Sequence, residues 1–222
     1  MIDLQRQGSV FVLTMQSGEN RFNRAFVSAL GSALDEVESS SGPASLVTTG
    51  SEKFYSNGLD LAWLMGDGAA ESGAFVGDVI RLLARVLALS LPTVAAINGH
   101  AFAGGAMLAL AHDYRIMRVD RGFFCLPEVD IKLPLAPGMT ALIKSRLSGT
   151  VLRDAVLTGA RIGGTEAHQR GIVDAALPDH EVLPTAIARA AALADKDRAT
   201  YGALKRGLYA ETLAIMQRGE LS

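Results

Sequence analysis

Apolar and polar side chains alternate through residues 2–6 and again through residues 9–15 on either side of Gly8-Ser9, the pattern of a two-stranded hairpin that buries one face. From Asn23 to about Ser40 the spacing changes. Phe26, Val27, Leu30, Leu34 and Val37 recur at three- and four-residue steps and predict one helical stripe, ended by the run from Ser39 to Pro43. Residues 44–49 then read as a short buried strand, followed by a loop from Gly50 to Gly58 and an interrupted helical segment reaching Ser90. Pro92 stops that helix, Thr93 to Ile97 forms a second buried strand, Gly104-Gly105 opens an apolar helix to His112, and Tyr114 to Val119 forms a third strand.

This succession of strand, loop and helix predicts a right-handed α/β layout whose chemistry sits in loops at the strand ends. Residues 138–218 read as mainly helical, with Gly171-Ile172-Val173-Asp174 as one extended break. No linker is long enough to detach them, so residues 1–222 are expected to form one domain, with the late helices packed on the core or between subunits.

Composition removes several function classes. Lys and Arg number 21 against 23 for Asp and Glu, a net charge of -2, so no basic field marks the chain for nucleic acid. Acidic and amide residues stand where a signal peptide needs a basic stretch and an apolar run, and Cys125 is the single cysteine, which together imply a reducing, cytoplasmic setting. The mean hydropathy is high at +0.25. The most apolar stretches are nevertheless cut by Pro92, by Asn98-Gly99-His100 and by His112, too soon to span a bilayer, so the apolar surplus points to a large core or to subunit interfaces.

Three segments can carry chemistry. The loop Lys53 to Leu61 follows a buried strand and precedes a helix, so its amides can face a ligand while Asp60 favours the helix start. The loop Asn98 to Met107 carries glycines in the same context, but at spacings that do not match a dinucleotide fingerprint. In the third, Phe123 to Ile131, Glu128 lies among apolar residues that disfavour its charged form and raise its basicity, and Asp130 is the local competitor. Each also has a plainer reading, as a turn, as close helix packing or as an exposed acid. His100, His112, His168 and His180 form no HExxH pair, so no metal site is expected; no G-x-S-x-G occurs, and Ser56 has no activating partner nearby.

Taken together and in this order, the segments resemble the enoyl-CoA hydratase/isomerase, or crotonase, family from the hairpin to about Asp174. Lys53 through Trp63, Asn98-Gly99-His100, His112-Asp113-Tyr114 and Glu128-Val129-Asp130-Ile131 are similar to Δ3,Δ2-enoyl-CoA isomerases. The resemblance implies a ββα spiral core over about residues 1–175 and a helical C-terminal segment over about 176–222. It implies that the amides of Asn57 and Gly104 form an oxyanion hole, aided by the helix beginning at Gly105, and that Glu128 is the catalytic base. It also puts Ser56, Gly58, Leu59, Asp60, Phe22, Met107 and Lys205 at the substrate, Lys205 as a late lysine meeting the CoA phosphates. Family hydratases have a second glutamate where this chain has Met107, and a thioether cannot accept a proton, so shifting a double bond is expected rather than adding water. An acyl-CoA thioester as substrate, no separate cofactor, and a homotrimer or dimer of trimers follow from the same resemblance. Other acyl-CoA enolate chemistry, such as slow hydration or thioester hydrolysis, and a catalytically silent acyl-CoA-binding protein are the alternatives.

Overall fold

The computed structural model describes residues 1–218. The hairpin forms as expected: β1 (Ile2–Gln7) pairs antiparallel with β2 (Val10–Met15) around Gly8, which adopts a φ of +61°. From β2 onward the sheet is parallel. β3 (Ser45–Gly50), β5 (Thr93–Ile97), β7 (Tyr114–Arg118) and β9 (Ala175–Leu177) follow in order, giving a six-stranded sheet β1-β2-β3-β5-β7-β9. The last strand corrects one expectation. The extended piece is not Gly171 to Asp174 but β9 (Ala175–Leu177), because Asp174 is held against β7 by Arg115, whose amide donates to its carboxylate at 2.7 Å.

Both faces of this sheet are covered, which is why β3 and β5 read as continuous apolar runs rather than alternating ones. On one face Val12, Val47, Val94 and Ile116 pack against Val182, Ala186 and Ala190 of α8 (Asp179–Ala191). On the other lies the main core, where α1 (Arg24–Ser39) buries Phe26, Leu30, Leu34 and Val37 as its stripe predicts and Asn23 caps it by accepting from the Phe26 amide. The interrupted segment resolves into α2 (Leu61–Met65), a short 3-10 turn and α3 (Ser72–Ala88). The late region is helical and continuous with the core, with α10 (Ala210–Arg218) packed on α3 and on α5 (Pro137–Arg146); residues 219–222 of the expected helical segment lie outside the described residues. No helix among the described residues is long and apolar enough to cross a membrane.

Three strands are missing from the sequence reading. β4 (Phe54–Ser56), β6 (His100–Phe102) and β8 (Phe124–Cys125) form a second, parallel three-stranded sheet. Each begins in a segment that reads as a loop, because two or three residues are too few to show a period. This small sheet brings the three candidate segments side by side.

A buried polar chain fastens the two sheets to α4 (Gly104–Ala111). The Thr48 hydroxyl lies 2.7 Å from the Tyr55 hydroxyl and 2.9 Å from His112 Nε2, while His112 Nδ1 lies 2.8 Å from the Leu108 carbonyl. A carbonyl can only accept, so Nδ1 carries the hydrogen and Nε2 accepts from Thr48. Burial holds His112 at a pKa of about 4, from an ordinary 6.5. The folded value lies below the unfolded one, so stability is full above about 6.5 and is lost as pH falls toward 4. Comparing His112→Gln with wild type by chemical denaturation isolates this contribution: wild type is expected to lose roughly 3 kcal/mol more than the variant between those limits. Equal losses would show that His112 is not the group that titrates.

Candidate active site

The chain leaves β4 at Ser56 and spends its next amides in turn. Asn57 donates its amide to the Glu19 carbonyl at 2.9 Å, Gly58 to the Ser56 hydroxyl at 3.2 Å, and Asp60 to the Phe22 carbonyl at 2.9 Å. Leu59, between them, has no hydrogen-bond acceptor for its amide among the described residues. This corrects the expectation for Asn57, whose amide and side chain are both engaged by Glu19.

Facing this loop is the start of α4. Ala103 has φ 48° and ψ -120°, a strained conformation for a residue with a side chain, and its amide donates to the Cys125 carbonyl of β8 at 3.0 Å. The next amide, that of Gly104, again has no acceptor among the described residues. Two glycines make the close approach possible. A Cβ on Gly58, whose φ is +75°, would lie 2.6 Å from the Gly104 nitrogen, and one on Gly105 would lie 2.1 Å from the Ser56 carbonyl oxygen. Leu59 and Gly104 both line a cavity of about 300 Å³, so two unpaired amides and the positive end of α4 belong to one site.

Glu128 lines the same cavity. It follows β8 in a tight loop where Asp130 and Ile131 both donate to the Pro127 carbonyl and Leu133 donates back to the Glu128 carbonyl at 3.0 Å. Its side chain is buried and Oε2 has no hydrogen-bond partner among the described residues. Burial pushes the carboxyl up to about 7 from an ordinary 4.5, opposed by its own backbone amide. Asp130 is exposed and outside the cavity. Met107, buried on α4, is part of the wall, so among the described residues the cavity holds a single carboxylate.

Several expected substrate contacts are structural instead. Ser56 is fully buried and donates to the Asn20 carbonyl at 2.7 Å. Gly58 accepts from the Phe22 amide at 2.7 Å, so its backbone is spent on the fold. Asp60 caps α2 by accepting from the Trp63 amide, and Phe22 is buried behind Gly104, stacked on Phe26 with ring centroids 5.5 Å apart.

Lys205 is the largest correction. It sits on α9 (Arg198–Leu208), almost fully buried, with Nζ 2.9 Å from Asp113, whose carboxylate also accepts from the Thr93 amide and hydroxyl and from the Tyr201 hydroxyl. Burial lowers its pKa, partly offset by Asp113. An ammonium so placed fastens α9 to the strands and cannot meet a solvent-borne phosphate. Lys205→Ala is therefore expected to cost about 3–5 kcal/mol of stability by leaving a charge unpaired. KM for an acyl-CoA should stay unchanged at temperatures where the variant is folded; a raised KM at undiminished stability would restore the binding role.

Arg161 went unnoticed in the sequence. It lines the cavity with its guanidinium 5.8 Å from the Phe102 ring centroid, and it makes no ion pair among the described residues. It lies far from Glu128 in sequence and is delivered by the antiparallel bridge between Phe124 and Ile162, which no local pattern announces. Arg21 also lines the cavity, with its charge engaged by Glu19.

Comparison with known proteins places this geometry in context. The enoyl-CoA hydratase/isomerase family model matches residues 5–218. The chain is 39% identical to enoyl-CoA delta isomerase 3 of Arabidopsis thaliana, over 95% of this chain and 93% of that protein. It is 37% identical to the peroxisomal enoyl-CoA delta isomerase 2 of the same plant, over 97% and 95%. In fold it resembles the human mitochondrial delta3-delta2-enoyl-CoA isomerase, with a TM-score of 0.92 at 24% identity over 98% of this chain and 87% of that one.

Proposed function

The chain belongs to the enoyl-CoA hydratase/isomerase family, and from that premise we propose that it is a Δ3,Δ2-enoyl-CoA isomerase. The observation that carries this reading is one buried carboxylate in the same cavity as two backbone amides, with Oε2 and both amides lacking hydrogen-bond partners among the described residues. In this mechanism Glu128 takes a proton from C2 of a 3-enoyl thioester. The electron pair left at C2 spreads onto the thioester oxygen, which the Leu59 and Gly104 amides receive as an oxyanion, and along the adjoining double bond to C4. The protonated carboxyl then delivers the proton to C4, leaving the double bond between C2 and C3. Overall no atom is gained or lost and no redox partner is consumed.

Hydration asks more of a site. A water must be oriented and deprotonated at one carbon while a proton reaches its neighbour, and Met107 can do neither task. The likeness to plant enoyl-CoA delta isomerases favours the same choice. The test is to mix purified protein with a 3-enoyl-CoA and follow the absorbance of the conjugated 2-enoyl thioester. Rapid appearance of that chromophore supports the isomerase. Fast consumption of a supplied 2-enoyl-CoA would make the protein a hydratase, and acyl-CoA binding without turnover would make it a binder.

A further inference from the structure

The loop that presents the Leu59 amide is suspended from residues 19–22, which run beside it. Asn57 donates to the Glu19 carbonyl and Asp60 to the Phe22 carbonyl, while Phe22 donates to the Gly58 carbonyl at 2.7 Å, so that Phe22 and Leu59 form a parallel bridge. Asn20 lies within that segment, fully buried, with φ at +51°, a left-handed conformation that asparagine tolerates better than most residues bearing a side chain. All of its polar groups are engaged. Its amide donates to the Ser17 carbonyl and its Oδ1 accepts from the Ser17 amide, both at 2.8 Å, which closes the turn on itself. Its Nδ2 donates to the Phe54 carbonyl at 3.2 Å and to the Tyr55 carbonyl at 3.1 Å. One amide group can collect two successive carbonyls because the register of β4 against β6 shifts between Phe54 and Ser56. The Asn20 carbonyl accepts from the Ser56 hydroxyl at 2.7 Å, and that hydroxyl in turn accepts from the Gly58 amide. Asn20 thus grips three consecutive residues of β4 and reaches Gly58 through the last of them.

We propose that Asn20 is a positioning residue for the reaction, setting the direction of the Leu59 amide so that it and the Gly104 amide meet the same oxygen. The proposal rests on the isomerase reading for the oxyanion role of those amides. Asn20 itself lies outside the cavity lining and acts through β4 and the loop that follows it. The two donors come from separate elements: Gly104 is carried by α4, whereas Leu59 is held by β4 and residues 19–22. A displacement of about 1 Å in one of them leaves the pair mismatched, and such an error costs on the order of a hundredfold in rate. The ground-state thioester carbonyl, which carries less charge than the enolate, loses less from the same error. Among side chains that accept the left-handed backbone, aspartate lacks the donor and glycine lacks the side chain, so the grip on β4 asks for asparagine.

Asn20→Asp keeps the shape and the Ser17 contact but turns an oxygen toward the Phe54 and Tyr55 carbonyls, and Asn20→Gly keeps the left-handed backbone while removing the grip. Ser56→Ala cuts the link to Gly58 from the other end and serves where an Asn20 variant fails to fold. Gly8→Ala is the control for strain alone, since its φ of +61° disfavours a side chain and nothing lies within 4 Å of the new methyl. Each variant is assayed for kcat and KM on 3-hexenoyl-CoA, for binding of hexanoyl-CoA, and for ionisation of bound acetoacetyl-CoA. The last ligand loses its C2 proton to solvent and its enolate absorbs in the near ultraviolet, so the bound enolate fraction reads oxyanion stabilisation without turnover. The Asn20 variants are expected to lose about tenfold to a hundredfold in kcat and in the bound enolate-to-ketone ratio, with hexanoyl-CoA binding within about threefold of wild type. Gly8→Ala should lose stability and nothing else. Asn20 variants that lose stability but keep the enolate ratio, or that lose hexanoyl-CoA binding to the same degree, would overturn the proposal. So would a wild type that binds acetoacetyl-CoA only as the ketone, there being no oxyanion site to position. If wild type forms the enolate and the variants lose it while 3-hexenoyl-CoA is left unchanged, the isomerase reading fails by itself and the positioning role stands.

Discussion

Glu128→Gln is expected to abolish isomerisation while making the protein more stable at alkaline pH. The amide keeps the shape of the side chain but cannot take a proton, and a positioned general base contributes about a hundred- to ten-thousand-fold, so kcat should fall by at least the lower figure. The stability gain follows from the raised pKa. Glu128 titrates near 7 when folded and near 4.5 in its ordinary state, so between these values the folded protein binds more protons, and stability is lost as pH rises through the window. Gln removes that dependence. Relative to wild type, the variant should gain about 2–3 kcal/mol between pH 5 and pH 8, read from denaturant midpoints at each pH. His112 slopes the opposite way over an overlapping range, so the difference between variant and wild type, rather than either profile alone, isolates Glu128.

Gly58→Ala carries the second large effect. The added methyl would lie 2.6 Å from the Gly104 nitrogen and 3.0 Å from Ala103 Cβ, and the backbone at +75° disfavours any side chain. Ala103 and Gly104 must move away, which separates the amide of Gly104 from that of Leu59. Losing one oxyanion donor typically costs roughly a hundred- to a thousand-fold in kcat, and that loss is expected here, with about 1–3 kcal/mol of backbone strain besides. Gly42→Ala supplies the control. Its φ of +77° imposes the same strain with nothing within 4 Å of the new methyl, so stability should fall while kcat stays. If both variants lose kcat alike, the amide pair is not what Gly58 protects.

How far the site was legible depended on whether its signal was local. The stripe of α1, the uniform burial of β3 and β5 and the hairpin around Gly8 each follow from a period or a turn residue, and the structure has all of them. Glu128 is visible as a carboxylate among apolar neighbours, and the structure buries it. Which amide of the Ser56 to Asp60 run is unpaired was not legible. It depends on where Glu19 and Phe22 offer carbonyls, a tertiary fact that moves the open donor from Asn57 to Leu59. Lys205 shows the same limit from the other side, since a basic residue on a helix looks solvated until Asp113 is found beneath it.

The pH profile of kcat/KM on a 3-enoyl-CoA tests the central claim most directly, because it reads the ionisation of the free enzyme's base. With Glu128 as that base, the rate rises about tenfold per pH unit up to a midpoint near 7 and then levels, and Glu128→Gln removes both the rise and the rate. A profile already level from about 4.5 upward, or one that survives the substitution, would contradict the assignment of Glu128 as the proton shuttle.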